Sequence, residues 1–485
     1  MLNIRFILKM LGAMFLLETF FMLTAAAVAF IYKEGDIYPL LLSGAILFAA
    51  GALFYLAGRK ANEQAAGYRE GMLVVALTWT LLSLFGMLPF YMGGYIGNIT
   101  DAYFETMSGF TTTGASILHN VEALPHGILF WRSLTQWQGG IGVVVFTVAL
   151  LPLFGGGASQ MFEAETTGRG IAHERFRPRV TQVAKRFSGI YLLLTFTLAL
   201  LLWIGPMDAF DAINHALATV STGGYSTKNA SIGFWNSSYI EYLITLFMFT
   251  GSISMTLLYF FFKGNFSKLL SDEELRWFIF IILFFTAITT LWIMPGRQGN
   301  AGDSFRLALF HIISLISSTG FTTTDYLSWG SFFQLIALIV MFTGGCMGST
   351  SGGLKVGRFV IIHKNLSNVF LKQMHPNAVL PVRMNKHAIS ADNVYRCLAF
   401  TFVYISLIVA GSLILTCNGE DFDGAVGATL SAISNIGPGL GEQGPAGNYA
   451  TMTTLSKWTL SFLMLAGRLE IFTVLTIFLP GFWKQ

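Results

Sequence analysis

Apolar stretches long enough to cross a lipid bilayer recur along the whole chain, and they decide the class of fold before any motif is read. The candidates are residues 3–30, 37–58, 70–96, 127–154, 187–206, 239–262, 276–295, 332–362, 394–416 and 455–480. A hydrocarbon core of about 30 Å takes about 20 apolar residues in a helix. Only helices and closed barrels satisfy their own backbone in lipid. Alternating strands of about ten residues are absent, which argues against an outer-membrane barrel. Charged residues make up 11% of the chain and mean hydropathy is +0.63, where a soluble domain carries about 25% charge. The expectation is an all-α polytopic membrane protein with ten transmembrane helices, an even number that puts both termini on one side. Arg5 and Lys9 precede the first run as they would in a signal peptide. The run is long and no small-residue cleavage site follows cleanly, so it reads as a retained helix.

Charge placement orients the spans. Of the 29 Lys and Arg, 22 fall in the N-terminal tail, in 59–72, 155–186, 263–277 and 354–396, and at Lys484. The other side holds Lys33, Lys228, Arg297 and Arg306. This bias puts both termini in the cytosol. The basic segments serve topology alone or, in 155–186 and 354–396, also dock a partner. Cys346, Cys397 and Cys417 form no metal-spaced pair, and a disulfide framework is not expected. There is no P-loop, dinucleotide fingerprint or His-Glu zinc motif. Nothing points to an enzyme, an organic cofactor or nucleic-acid binding. His119, His126 and His215 read as helix-end or satisfied interior residues.

Four short segments read alike: Thr112-Thr113-Gly114-Ala115, Ser221-Thr222-Gly223-Gly224, Ser318-Thr319-Gly320-Phe321 and Ser434-Asn435-Ile436-Gly437-Pro438. One Ser-Thr-Gly is an ordinary turn or a small-residue helix contact. Four, each between a short amphipathic stretch and a long apolar one, imply four pieces of backbone meeting around an axis, as a ring of carbonyls for a dehydrated cation requires. The short stretches are 99–111, 208–221, 303–317 and 423–434. A helix of roughly 12 residues is about 18 Å long and reaches only partway across the core, so it must re-enter. Acids and caps (Asn98 and Asp101, Asp208 and Asp211, Asp303 and Ser304, Asp421 and Asp423) suit its positive end, and its negative end favours a cation at the Gly segment. Irregular backbone at that depth is tolerable only in a polar cavity or buried in protein.

These motifs, with the additional N-terminal helix pair, resemble the Trk/Ktr/HKT superfamily of potassium transporters, its bacterial TrkH branch above all. The strongest pieces are Ile316 to Asp325 (Ile-Ser-Ser-Thr-Gly-Phe-Thr-Thr-Thr-Asp) and Thr343 to Lys355 (Thr-Gly-Gly-Cys-Met-Gly-Ser-Thr-Ser-Gly-Gly-Leu-Lys). The resemblance implies one pore per subunit, built from four non-identical helix–pore loop–helix repeats with pseudo-fourfold symmetry, after an N-terminal pair. The expected units are 1–67, 68–160, 161–264, 265–366 and 367–485. It implies a potassium-binding filter of Thr111, Thr112, Thr113 and Gly114; Val220, Ser221, Thr222 and Gly223; Ser318, Thr319 and Gly320; Asn435, Ile436 and Gly437. The fourth segment departs from Ser-Thr-Gly, so the ring is expected to be irregular. In the related plant proteins a serine at the first glycine goes with sodium preference, so Gly114 implies K+ as cargo, with Rb+ and more weakly Na+ accepted. It further implies a homodimer in the lipid of the bacterial inner membrane, and a cytosolic nucleotide-binding regulatory subunit of the TrkA type.

Two features bear on gating. Residues 343–353 hold five glycines in eleven residues, and each costs a helix about 1 kcal/mol relative to alanine. The stretch is either a kink packed against neighbours or a flexible intramembrane loop with few apolar contacts, blocking the path below the filter. The resemblance implies the loop, with Gly344, Gly345, Cys346 and Gly348 in it. Arg468 stands inside an apolar span, where a charge costs about 2.5–3.5 kcal/mol. It either faces the path, repelling cations or binding the loop's carbonyls, or pairs with an acid on another helix. Glu470 is the nearest acid but does not share its face. Arg132 is expected to snorkel to the interface, and Lys355 and Arg358 to anchor the loop's cytosolic end or meet a regulator. Among the acids of the spans, Glu18 and Glu241 are placed near interfaces. An alternative function is a proton- or sodium-coupled symporter, which wants midplane acids or unwound helices; a purely structural subunit is a third.

Overall fold

The computed structural model describes residues 2–62, 67–150, 180–297 and 299–484. The chain is mostly helical. In order the principal helices are α1 (Ile4–Tyr32), α2 (Ile37–Gly58), α3 (Tyr68–Gly86), α4 (Ile99–Phe110), α5 (His126–Leu150), α6 (Val180–Ile204), α7 (Ala209–Val220), α8 (Ser238–Gly251), α9 (Met255–Phe262), α10 (Glu273–Ile293), α11 (Ala301–Ile316), α12 (Ser331–Thr343), α13 (Val356–Met374), α14 (Ala391–Cys417), α15 (Phe422–Ser434), α16 (Thr454–Arg468) and α17 (Ile471–Leu475). Among the described residues, six helices are each long and apolar enough to cross a membrane. The expected spans 239–262 and 455–480 are not straight: α8 and α9 meet at 109°, and α16 bends by 116° into the segment ending at Phe478. Ser252-Ile253-Ser254 and Leu469-Glu470 make these breaks; the first follows a Gly251-Ser252 pair of the kind that marks a kink, and the second has no such local signal. Span 332–362 is interrupted as its glycines foretell, α12 ending at Thr343 and α13 beginning at Val356. The last residues of span 127–154, and segment 155–186 up to residue 179, lie outside the described residues.

The short helices α4, α7, α11 and α15 are largely buried, and side chains cap the N-termini of the first three. Asn98 Oδ1 accepts from Thr100 N (2.9 Å) and Asp208 Oδ1 from Asp211 N (2.6 Å). In α11 the cap is Asn300, accepting from Asp303 N at 3.2 Å, so the helix starts ahead of the expected Asp303 and Ser304. Asp421 sits at the N-cap of α15 without a side-chain cap bond. His126 opens α5, bonded to Glu34 at 2.8 Å and stacked on Tyr32. His119 bonds Asn448 at 3.1 Å. Glu241 pairs with Arg306 at 3.0 Å. Glu18 is not at an interface: it is buried in the middle of α1.

Helices α1 and α2 form a hairpin in which glycines replace apolar knobs. A Cβ on Gly12 would fall on Tyr55 N and within 2.8 Å of Gly51 O, and one on Gly58 would fall on Lys9 N. Such small-residue contacts let membrane helices pack backbone to backbone, where lipid supplies no hydrophobic drive for association. Gly12→Leu is expected to separate the pair at about 1–3 kcal/mol, the usual cost of overpacking. A lowered unfolding midpoint in detergent is the readout, and an unchanged midpoint would contradict the close approach.

Between α13 and α14 a two-residue turn, Asn385-Lys386, with φ of +51° and +70°, joins the short antiparallel strands Arg383–Met384 and His387–Ala388. Two positive φ values suit the right-handed twist of a tight hairpin. Asn385 docks this ribbon on the start of α10: Glu273 N donates to its Oδ1 (2.8 Å) and its Nδ2 donates to Asp272 (3.1 Å).

Candidate functional site

Each short helix ends in the same way. The amides of Thr112, Thr222, Ser318 and Asn435 donate to the carbonyls of Gly109, Thr219, Leu315 and Ala432, and those of Thr113, Gly223, Thr319 and Ile436 to Ser108, Ala218, Ser314 and Ser431. This pair of bonds is the Schellman closure, which needs a left-handed residue at its turn and throws the chain off the helix axis. That residue is Thr112 (φ +53°), Thr222 (+55°), Ser318 (+56°) and Asn435 (+54°). No glycine occupies it, and two of the four are β-branched threonines, for which positive φ is strained. Strain held alike in four places points to function.

Two residues further on, a glycine takes positive φ in each segment: Gly114 (+84°), Gly224 (+78°), Gly320 (+78°) and Gly437 (+104°). The second of these is Gly224, not the Gly223 that the sequence pattern paired with the others. Gly223 occupies the place of Thr113, Thr319 and Ile436, and a Cβ on it would meet the Gln136 side chain. Ser-Thr-Gly strings mislead here because the Schellman turn counts from the helix end.

The four glycines close a cycle. A Cβ on Gly114 would fall on Gly223 O, one on Gly224 on Thr319 O and one on Gly320 on Ile436 O, while one on Gly437 would lie 2.7 Å from Thr113 O. Each segment thus packs its glycine on the next one's backbone, and the fourth returns to the first. All four glycines line one cavity of about 180 Å³. Among the described residues the carbonyls of Thr112, Thr222, Ser318 and Asn435 accept no hydrogen bond, although these residues are at most 1% exposed. Buried carbonyls ordinarily find donors. Oxygens left over at four matching places are hard donors suited to an alkali cation. No group of three or more His, Cys, Asp or Glu able to hold a metal occurs among the described residues.

Side chains lock the ring from behind. Thr111 and Thr113 hydroxyls lie 2.8 Å apart, as do those of Ser317 and Thr319. Asn435 Nδ2 donates to Thr113 Oγ1 (3.0 Å) and Met464 O (2.9 Å), so the irregular fourth segment is stitched to the first. Gln136 Nε2 donates to Gly223 O (2.6 Å) and its Oε1 accepts from Tyr225 N (3.0 Å). Ser221 closes α7, its hydroxyl on Leu217 O. Val220 lies a step outside the ring: its carbonyl accepts from Thr350 Oγ1 at 3.3 Å.

Thr350 belongs to the non-helical stretch between α12 and α13. Cys346 N donates to Ser252 O (3.0 Å), Met255 N to Gly348 O (3.0 Å) and Gly352 N to Ser318 Oγ (2.7 Å). The stretch therefore ties the break between α8 and α9 to a ring segment. It includes Gly344 and Gly348 at positive φ, and Gly345, whose carbonyl accepts from Val356 N at 2.9 Å. It is not loosely held as few contacts would make it, since Cys346 and Thr350 are fully buried. Glu274 Oε1 accepts from Met347 N (2.7 Å) and Gly357 N (3.0 Å), clamping both flanks. Arg468 Nη1 donates to Thr350 O (2.5 Å) and Nη2 to Gly139 O on α5 (3.0 Å). It makes no ion pair among the described residues. Of the two readings of Arg468, carbonyl binding is the observed one. Glu470 pairs instead with Arg358, at 2.6 Å. Of the two expectations for Lys355 and Arg358, the observed contacts are with the loop's end: Lys355 Nζ donates to Ser351 O, and Arg358 Nη1 to Leu354 O at 3.3 Å.

Arg132 does not snorkel. It is 4% exposed, with Nε 2.7 Å from Glu105 Oε1 and its guanidinium 3.5 Å over the Tyr225 ring. Glu105, Gln136 and Glu274 escaped the sequence reading. A carboxylate inside the buried short stretch 99–111 was the available signal for the first. Nothing in the sequence pattern marks the other two.

A helical multi-span protein whose centre is a closed cycle of backbone oxygens has the form of a cation transport protein. Residues 40–484 match the family described as TrkH, cation transport protein, and the chain belongs to that family. It is 36% identical over 486 residues to the Trk system potassium uptake protein TrkH of Escherichia coli (strain K12), covering 100% of both. It is 33% identical over 482 residues to the Trk system potassium uptake protein TrkI of Halomonas elongata, covering 99% of this chain and 97% of the relative. The crystal structure of the potassium transporter TrkH from Vibrio parahaemolyticus superposes with a TM-score of 0.90 at 34% identity, covering 99% of each chain.

Proposed function

We propose that this chain conducts K+ through the ring, channel-like, into a bacterial cell across its inner membrane. The observation that carries the reading is the fourfold recurrence of one backbone conformation with buried, donorless carbonyls. On this reading four helix–pore loop–helix units, about 68–160, 161–264, 265–366 and 367–485, surround one path, after an N-terminal pair, with ten crossings and both termini cytosolic. The bias of Lys and Arg supports that orientation. The ring is drawn from Thr111 to Gly114, Ser221 to Gly224, Ser318 to Gly320 and Asn435 to Gly437, with the donorless carbonyls of Thr112, Thr222, Ser318 and Asn435 replacing water around the ion. The stretch 344–355, held by Arg468, is the gate. A membrane potential drives uptake by about 2.3 kcal/mol per charge per 100 mV.

The K+ cargo is supported by the names of the relatives, and a cytosolic nucleotide-binding partner of the TrkA type and a homodimer by the family resemblance. The test is flux of K+, Rb+ and Na+ into proteoliposomes. Ohmic current with a reversal potential set by K+ alone supports conduction, and a reversal potential that moves with pH or Na+ supports coupled symport instead. Gly114→Ser, which sets a side chain against Gly223 O, is expected to erode the preference for K+ over Na+. Unaltered selectivity in that variant would count against the ring.

A further inference from the structure

Nine residues before the ring glycines, on their short helices, stand Glu105, His215, His311 and Ala428. All four are buried. The three polar ones reach the strand that leaves the ring. Glu105 accepts from Ser116 Oγ (3.1 Å) and from Ile117 N (2.9 Å). His215 Nε2 lies 2.9 Å from Ser226 Oγ, and His311 Nε2 3.4 Å from Thr323 Oγ1. His215 Nδ1 lies 2.7 Å from the Asp211 carbonyl oxygen, which only accepts, so Nδ1 carries a proton and Nε2 is the atom turned to Ser226. Ser116 and Ser226 each stand two residues past the ring glycine. Ala428 can make no such bond, and the fourth strand is tied by Tyr449 and Ser431 hydroxyls on Gly437 O (2.6 and 2.9 Å).

Arg132 joins the first two grips into one brace. Its Nε is on Glu105 and its Nη1 donates to Ser226 O at 3.0 Å, while Tyr225 Oη donates to Glu105 O at 2.7 Å. A buried ion pair that is also hydrogen-bonded to the neighbouring backbone resists loosening, because moving one partner strands a charge.

We infer that Glu105 and His215, coupled through Arg132 and Ser226, are positioning residues that hold the first two ring segments at the separation by which the ring discriminates among cations. This rests on the reading of the ring as the ion path. A ring that closes more easily around a smaller ion loses its preference for the larger one, so the brace acts on selectivity rather than on total flux.

The test measures the K+/Na+ flux ratio and the thermal midpoint of the full chain in proteoliposomes and detergent. His215→Leu is expected to lower the ratio about five-fold, the worth of one buried hydrogen bond. His215→Gln, whose amide reaches the place of Nε2, is expected to restore most of it. Should His215→Leu fail to fold, Ser226→Ala removes the same bond and Ser226→Thr keeps it. A folded His215→Leu or Ser226→Ala with the wild-type ratio overturns the inference. So does a His215→Gln as unselective as the leucine variant. A wild-type protein that does not discriminate K+ from Na+ at all overturns the ion-path reading itself, which is a different failure.

Discussion

Arg468→Ala is expected to raise steady K+ flux by roughly two orders of magnitude without lowering the unfolding temperature. The guanidinium reaches the loop at Thr350 O and the opposite helix at Gly139 O, and it does so from within an apolar span. Hydrogen bonds from a charged donor contribute about 1.5–3 kcal/mol each. Both vanish with the side chain, so the closed loop loses about 3 kcal/mol, and each 1.4 kcal/mol is tenfold in a two-state equilibrium. The fold does not suffer equally, because burying a cation that has no carboxylate partner is itself costly. On the proposed function one further effect acts in the same direction: a positive charge, which repels a passing cation, leaves the site. Arg468→Lys keeps the charge but cannot fork to two carbonyls, and is expected to fall between. Single-channel open probability, with the ion ratio measured alongside, separates gating from selectivity. An alanine variant with wild-type open probability would remove Arg468 from the gate and leave it a structural strut.

Much of this arrangement was legible in the sequence, for a physical reason. Hydropathy reports which segments can lie in lipid, and four glycines after four short stretches report where backbone must turn at depth. The glycine-rich stretch at 344–353 and the lone charge at Arg468 stood out because each is expensive in a membrane. What stayed hidden was tertiary. The break at Leu469-Glu470 carries no local signal that composition reveals; the one at Ser252-Ile253-Ser254 had only the Gly251-Ser252 pair, and its freed carbonyl is satisfied by a distant partner, Cys346 N on Ser252 O. Arg132 looked like a snorkelling residue because its partner, Glu105, is 27 positions away on another helix. The register of the second segment was misjudged because Gly223 and Gly224 are adjacent and only the turn that ends α7 distinguishes them.

That register makes the second prediction sharp. Gly224→Ala is expected to abolish K+ uptake, a loss of a hundredfold or more by the sum of two costs. Its φ of +78° is one that alanine adopts at about 1–2 kcal/mol. Its Cβ would also fall on Thr319 O, backbone of the next segment, which cannot rotate away. Relief requires the second and third segments to part, and parting them enlarges the space that four oxygens must share. Small residues are needed wherever backbones approach this closely. Gly223→Ala meets a softer obstacle. Gly223 is not among the residues at positive φ, and the atoms a Cβ would meet belong to Gln136, whose amide can yield at the expense of its bonds to Gly223 O and Tyr225 N while its Cβ, at 2.9 Å, needs only a small shift of α5. Two hydrogen bonds weakened rather than a ring forced open predict a drop of about five- to thirty-fold. Uptake measured on both variants at matched membrane expression decides between the registers. If Gly223→Ala proves the more damaging, the cycle of contacts from Gly114 through Gly224 and Gly320 to Gly437 is not the path that cations take.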